Sequence, residues 1–313
     1  MSDVILFGEP MALFIAKDEG NIDEVKNFKR SLAGAEVNVC IGLTRLQHKV
    51  SYITRLGEDP LGKYIKRYLE EERISTEFVT FDKLNKTGIM LKSKVLVGDP
   101  ETAYYRKDSA FSKMKAEDIE AIDLEGVRLL HITGIPPALS QGCREATYRL
   151  MDRAKEKGIF ITFDPNLRPV LWESKEVMIE VINGLARKCD LILPGIEEGL
   201  ILTGSSSPEK IADFYNELGV NEIVVKCGGK GAYVRNNNES YFQRGFKVDK
   251  VIDTVGAGDG FAVGIISGKL ESLNLKESVI RANAIGAIQV TFESDNEGLP
   301  TREKLIKYME SNV

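Results

Sequence analysis

From Leu129 onward the chain repeats one arrangement: a short apolar run, a turn rich in Gly, Pro or Asp, and a longer stretch with apolar residues at helical steps. Leu129 to Ile135 is expected to be strand and Ser140 to Lys157 helix, with Ser140 placed to cap it. Ile159 to Phe163 returns as strand, Ser174 starts another helix, Asp190 to Leu193 is strand, and Ser207-Pro208-Glu209 opens a helix through Leu218. Glu222 to Lys226 follows, and Cys227 to Gly231 turns into Ala232 to Val234. Strands that alternate with helices require a mostly parallel sheet, since a tight turn cannot join parallel neighbours. Right-handed crossovers then place helices on both faces. Val4 to Phe7 is apolar throughout, as in a strand buried on both sides.

Two segments break the alternation. Gly88 to Val97 is rich in β-formers, Gly98 to Glu101 is a turn, and Thr102 to Arg106 returns, which is a hairpin pattern. Residues 12 to 31 are weakly patterned and can join it in a small sheet apart from the main one. Elsewhere, Val50 to Leu56 reads as strand, with Asp59 and Pro60 opening a helix as cap and first residue.

A chain of 313 residues is long enough for a large core. No apolar run approaches the roughly 20 residues of a membrane span. The net charge of -5, with Lys and Arg interspersed among acids, leaves no nucleic-acid footprint. Cys40, Cys143, Cys189 and Cys227 lack C-x-x-C spacing, and a reducing cytoplasm is expected. His48 and His131 are isolated, which argues against a His-based metal site or triad. A small-molecule enzyme is the class left.

The chemistry concentrates in Asp253-Thr254-Val255-Gly256-Ala257-Gly258-Asp259. Phe246, Val248, Val251 and Ile252 read as a strand before it, and a helix starts near Gly258. A strand-to-helix turn with little side chain presents backbone N–H groups at a positive helix end, which suits an anion. Asp259, on the first helical turn, is placed to take a proton from a hydroxyl attacking that anion. A second small-residue turn, Ala33-Gly34, precedes a helix marked by Val39, Leu43 and Leu46. At other expected strand ends, Arg168 stands between Pro165-Asn166 and Pro169, a fixed guanidinium suited to carboxylate or phosphate. Arg106 follows Tyr104-Tyr105 before a small-residue loop, where anion contact is at least as expected as packing.

The stretch through Asp259 resembles the D-T-x-G-A-G-D signature of ribokinase-like (PfkB) carbohydrate kinases, and the resemblance runs from Gly8 to about Arg302. Within that family, Gly34-Ala35-Glu36-Val37-Asn38 and Asp295-Asn296-Glu297-Gly298-Leu299-Pro300 are most similar to the 2-keto-3-deoxygluconate kinases. The resemblance implies one α/β domain over 1–313: a three-layer α/β/α Rossmann-like core with a β lid from segments near 12–32 and 87–112. It implies ATP-dependent phosphorylation of a small sugar acid, with Mg²⁺, and leaves a monovalent-cation requirement open. Asp259 is then the catalytic base, in a catalytic turn of Gly256, Ala257 and Gly258, and the amides of Ala257, Gly258 and Asp259 form the anion hole. Gly34, Asn38, Tyr104, Arg106, Arg168, Asp259 and Asp295 are expected at the sugar acid. Asn166, Arg168, Gly195, Lys226, Gly228, Gly231, Gly256, Gly258 and Asn283 are expected at the nucleotide, and Glu198 at the metal.

Two positions depart from the family pattern. Gly195 stands where the N-x-x-E motif has Asn, and Met90 stands where some ketodeoxygluconate kinases carry a Tyr on the lid. A fructokinase or another ribokinase-like sugar kinase is the alternative activity, and a catalytically silent sugar- or nucleotide-binding regulator is the alternative class. A nicotinamide dehydrogenase lacks support, because no Gly-x-Gly-x-x-Gly follows the first strand. Relatives often pair through lid strands, so a homo-oligomer is expected.

Overall fold

A computed structural model describes residues 2–95 and 100–312. Its strands in chain order are β1 Val4–Phe7, β2 Met11–Ala16, β3 Phe28–Ala33, β4 Val50–Gly57, β5 Val79–Asp82, β6 Ile89–Lys92 and β7 Thr102–Tyr105. They continue with β8 Leu129–Thr133, β9 Phe160–Asp164, β10 Leu191–Ile192, β11 Glu222–Lys226, β12 Gly231–Arg235 and β13 Ser240–Arg244. Nine of these form one sheet in the order β13-β12-β11-β10-β9-β8-β1-β4-β5. Every pairing from β11 to β5 is parallel, and only β12 and β13, at one edge, run antiparallel.

The side chains of β1 explain why the sheet is central. Val4 and Leu6 pack into the core on one face, Ile5 and Phe7 into the core on the other, and all four are fully buried. Each such burial stabilises the fold by about 1.5–3 kcal/mol. Helices Ala35–Arg45, Pro60–Glu71, Ala257–Leu270, Leu275–Gln289 and Arg302–Ser311 supply the first core. Helices Gln141–Glu156, Lys175–Ala186, Ile196–Thr203 and Pro208–Glu217 supply the second. The caps read from sequence are made: Asp59 accepts from the N–H of Leu61 and Gly62, and Ser140 and Ser174 accept from Cys143 and Val177. No helix among the described residues is long and apolar enough to cross a membrane.

A second, four-stranded sheet has the order β3-β2-β6-β7. It combines the two segments that broke the alternation and has its own small apolar cluster of Met11, Leu13, Ala33 and Met90. Such a sheet fits a lid. It ends at Tyr105, short of the expected boundary, and Ala110 and Phe111 are buried, Phe111 within the main core. Leu96, Val97, Gly98 and Asp99 of the expected strand and turn lie outside the described residues. On either side, Ser93 and Glu101 still pair, through Ser93 N–H to Glu101 O at 2.9 Å.

One expected element is absent. Residues 246–252 form no strand, although Phe246, Val248, Val251 and Ile252 are apolar. The sheet ends at β13, and these residues line a cavity rather than extend it, with Ile252 N–H going to Val290 O at 2.8 Å.

Candidate active site

The helix Ala257–Leu270 begins from Gly256, which holds φ 76°. A side chain there is excluded twice, by that left-handed backbone and by Asp295 O, which would lie 2.1 Å from a Cβ. The turn leaves the N–H groups of Gly258 and Asp259 without a partner among the described residues, whereas Ala257 N–H is turned back to Thr254 O at 3.3 Å. The expected anion hole therefore reduces to two free amides at a helix N-terminus. Asp259 stands beside them, its Oδ2 accepting from Asn38 Nδ2 at 2.8 Å. Burial, with Asp164 and Glu36 nearby, pushes its carboxyl up to about 7, against the pull of Asn38 and Arg168. A carboxylate so poised can take up a proton near neutral pH and release it again.

Two cavities meet at this helix end. The first, about 470 Å³, is lined by Gly34, Asn38, Met90, Tyr104, Arg106, Arg168, Asp259 and Asp295, and it brings together every residue expected at the sugar acid. Gly34, with φ 143°, begins the helix Ala35–Arg45 where a Cβ would stand 2.9 Å from Glu9 O. Three of these side chains are already engaged. Asn38 is held by Asp259; Asp295 pairs with Lys92 of β6 at 3.4 Å; and Arg106 spends Nε and Nη2 on Glu9 Oε2 at 2.7 and 2.6 Å. Arg106 is therefore no free cation: its charge is matched by a carboxylate that is itself buried. Arg168 differs, since it is exposed and, among the described residues, its guanidinium meets only the carbonyls of Leu167 and Asn166, at 2.9 and 3.5 Å. Glu36, buried and accepting from the Thr133 hydroxyl, is also in the wall, and burial raises its carboxyl above the usual range. Neither Glu9 nor Glu36 was among the expected site residues. Their buried carboxylates would have been the signal, but burial is invisible in a linear chain.

The second cavity, about 480 Å³, is lined by Lys226, Gly228, Gly231, Gly258 and Asn283, all expected at the nucleotide. Phe246, Val248, Val251, Phe261, Ala287 and Val290 give it apolar walls suited to a flat ring. This is where Phe246, Val248 and Val251 of the missing strand go. Asn166 and Gly256 face the first cavity instead, and Gly195 lines neither. Lys226 lines both, with its Nζ 2.6 Å from Asp164 Oδ2. Burial alone would lower its ammonium, yet Asp164, Glu198 and Asp259 hold it above the usual lysine range. An ammonium paired with Asp164 thus sits where the cavities join, its N–H groups beside the two free amides.

The family described as pfkB family carbohydrate kinase matches residues 1–302. The chain belongs to this family. It is 45% identical to the 2-dehydro-3-deoxygluconokinase of Bacillus subtilis over 308 residues, covering 98% of this chain and 95% of that protein. It is 32% identical to the 2-dehydro-3-deoxygluconokinase of Thermoproteus tenax over 316 residues, 98% and 95% of the two chains. A solved structure named as a ribokinase II of Escherichia coli, in complex with ATP and Mg²⁺, superposes with a TM-score of 0.89 at 25% identity, covering all of both chains. A fructokinase of Vibrio cholerae, solved with fructose, ADP and potassium, superposes at 0.86 with 26% identity, over 99% and 98% of the chains. As a carbohydrate kinase of this family, the chain is an ATP-dependent enzyme.

A kinase of this kind is expected to use its nucleotide with Mg²⁺. Among the described residues no cluster of three or more His, Cys, Asp or Glu side chains could hold a metal ion alone. A Mg²⁺ that arrives on phosphates needs less, because it keeps several waters and takes one or two carboxylates. Glu198 fits that role in the first cavity's wall. Its Oε2 accepts from Gly195 N–H at 2.7 Å and its Oε1 from Leu167 N–H at 2.9 Å, so it is rigidly held. Gly195 contributes its backbone, as the cap of helix Ile196–Thr203, and no side chain to the metal.

Proposed function

We propose that this kinase transfers the γ-phosphoryl group of ATP to the primary hydroxyl, O6, of 2-keto-3-deoxygluconate, the compound also called 2-dehydro-3-deoxygluconate. The observation that carries this reading is the position of Asp259 in the wall of the first cavity, next to Gly258 and Lys226, which line both cavities, with the free N–H groups of Gly258 and Asp259 and the Lys226 ammonium beside it. The sugar acid occupies the first cavity and the nucleotide the second, so the hydroxyl and the phosphoryl group meet at the helix end. Asp259 accepts the hydroxyl proton, and the two amides with Lys226 stabilise the transferring charge. Glu198 would hold Mg²⁺, which would supply phosphate charge neutralisation when bound. Lid closure by the β3-β2-β6-β7 sheet excludes water from that junction and suppresses ATP hydrolysis.

The identity to the two 2-dehydro-3-deoxygluconokinases supports the acid substrate, as does Arg168, which pairs with no carboxylate among the described residues. A charge-assisted hydrogen bond is worth about 1.5–3 kcal/mol, roughly 10- to 150-fold in binding. Arg168→Met is expected to lower kcat/KM for 2-keto-3-deoxygluconate by that order and for fructose by less. The deciding experiment is ADP release over 2-keto-3-deoxygluconate, fructose, ribose and gluconate. A wild-type preference for fructose would replace this reading with the fructokinase one. We further infer a cytoplasmic enzyme, supported by four free cysteines of which three are buried. A homo-oligomer through the second sheet is supported by its uncovered edges and the 47% and 63% exposure of Tyr104 and Tyr105. Light scattering in solution tests that.

A further inference from the structure

Asp259 is aimed from behind by a residue that lines neither cavity. Asn296 is 1% exposed, in the segment after helix Leu275–Gln289. Its backbone is pinned, its carbonyl accepting from Arg45 Nη1 at 2.8 Å and its N–H meeting Ser294 Oγ at 3.3 Å. Its side-chain Nδ2 donates to Asn38 Oδ1 at 3.0 Å and to the backbone carbonyl of Leu32 in β3 at 3.4 Å.

The direction of this chain of bonds is forced. A peptide carbonyl only accepts, so the NH₂ of Asn296 must face Leu32 and Asn38. Asn38 then turns its Oδ1 to Asn296 and its Nδ2 to Asp259 Oδ2, 2.8 Å away. An amide has nearly the same shape either way round, so packing alone does not choose between the two orientations. Turned over, Asn38 would set its carbonyl oxygen against the carboxylate.

We propose that Asn296 is a positioning residue that fixes the Asn38 amide in the orientation donating to Asp259, and thereby holds the base in place for the substrate hydroxyl. The inference rests on Asp259 being the base. The chain starts on a strand of the second sheet, so the position of that sheet and the aim of the base are linked through one buried side chain. The other charged groups around Asp259 are Glu36 on helix Ala35–Arg45, Asp164 at the end of β9, Arg168 just beyond it and Lys226 at the end of β11. All are untouched by substitution at 296.

Asn296→Asp is nearly isosteric and inverts the logic. Burial favours the neutral carboxyl at low pH, where its O–H can still donate to Asn38 Oδ1. Once ionised it only accepts, draws the Asn38 NH₂ to itself and turns Oδ1 onto Asp259. With ATP and 2-keto-3-deoxygluconate, kcat is expected to fall about 10- to 150-fold at alkaline pH. The pH profile should therefore gain a descending alkaline limb absent from the wild type, while KM for ATP stays near the wild-type value. Asn296→Leu, which removes the donor without adding an acid, should lower kcat with no such limb. Asn296→Ser keeps a smaller donor and should recover part of the kcat that Leu loses, which preserves the test where the Asp variant does not fold. Wild-type-shaped profiles in the Asp variant, or equal kcat in the Ser and Leu variants, would overturn the proposal. Asp259→Asn, assayed in parallel, separates the two readings. If it is active, the base assignment fails; if it is inactive while Asn296→Asp keeps the wild-type profile, only the role of Asn296 fails.

Discussion

Asp259→Asn is the substitution that tests the site most directly, because it predicts a loss and a gain at once. The amide keeps the size of the carboxylate and an oxygen that accepts from Asn38, but it cannot take the hydroxyl proton. Loss of a general base costs about 10² to 10⁴ in rate, or roughly 2.7–5.5 kcal/mol in the barrier. In the wild type the base is ionised above about 7, so kcat/KM should fall about tenfold per pH unit below that and level off above it. The gain is in stability. Because burial, abetted by Asp164 and Glu36, raises the folded carboxyl from 3.8 to about 7, the folded protein binds the proton more tightly than the unfolded chain. Wild-type stability therefore declines as pH rises through that window and stays lower above it. Asn carries no such penalty, so the variant should melt higher than the wild type, with the gap opening between those two values. Coupled ADP release and melting curves at pH 5 and pH 8 measure both effects. Near-normal turnover would remove Asp259 from the mechanism, and a melting gap no larger at pH 8 than at pH 5 would refute the burial argument.

Gly256→Ala should cost about 1–3 kcal/mol for the left-handed backbone alone, with a further cost from Asp295 O, and kcat should drop as the two free amides move; unchanged kcat would mean that the turn does not form the anion site. Glu198→Gln keeps one acceptor for two backbone donors, Gly195 N–H and Leu167 N–H, so the Mg²⁺ concentration needed for half-maximal rate should rise, while Gly195→Asn should change it little. Equal insensitivity of the two would place the metal elsewhere. Lys92, 5% exposed, holds Asp253 at 3.0 Å and Asp295 at 3.4 Å. Lys92→Met leaves both carboxylates without their cation, and a loss of about 3–5 kcal/mol is expected in urea unfolding.

The parallel sheet was legible because its strands are buried on both faces. Val4–Phe7 is apolar throughout, Glu222–Lys226 is apolar at its three central residues and Val50–Gly57 is largely so, and apolarity is a property a sequence displays. The edge strands β5 and β13 were not foreseen, since Val79–Asp82 and Ser240–Arg244 are largely half-buried or exposed and carry no such run. The misreading at 246–252 has the converse cause. Phe246, Val248 and Val251 are apolar because they wall a cavity, and an apolar cavity wall looks like a strand until its neighbours are known. The residues lining the site were legible as types at the ends of strands and starts of helices. What each side chain does there was not, because that depends on partners far away in the chain.

Arg106 shows the consequence for specificity. From sequence, Arg106 and Arg168 are both cations expected at the substrate carboxylate, with Arg168 expected at the nucleotide as well. In the fold, Glu9, 97 positions earlier, matches the charge of Arg106 inside the cavity wall. The pair is close to neutral toward a ligand, and removing Arg106 would expose a buried, unmatched carboxylate to an acidic substrate. An Arg106→Ala variant would thus lose the sugar acid through repulsion by Glu9 even if Arg106 never touched it. Arg168 has no such partner among the described residues, so its loss reports on the substrate's charge more cleanly. Glu9 Oε1 is buried and accepts no hydrogen bond from any described residue, which suits an acceptor turned toward a ligand hydroxyl. We therefore propose that the carboxylate end of the substrate lies at Arg168 and its hydroxyls along the Glu9 side of the cavity.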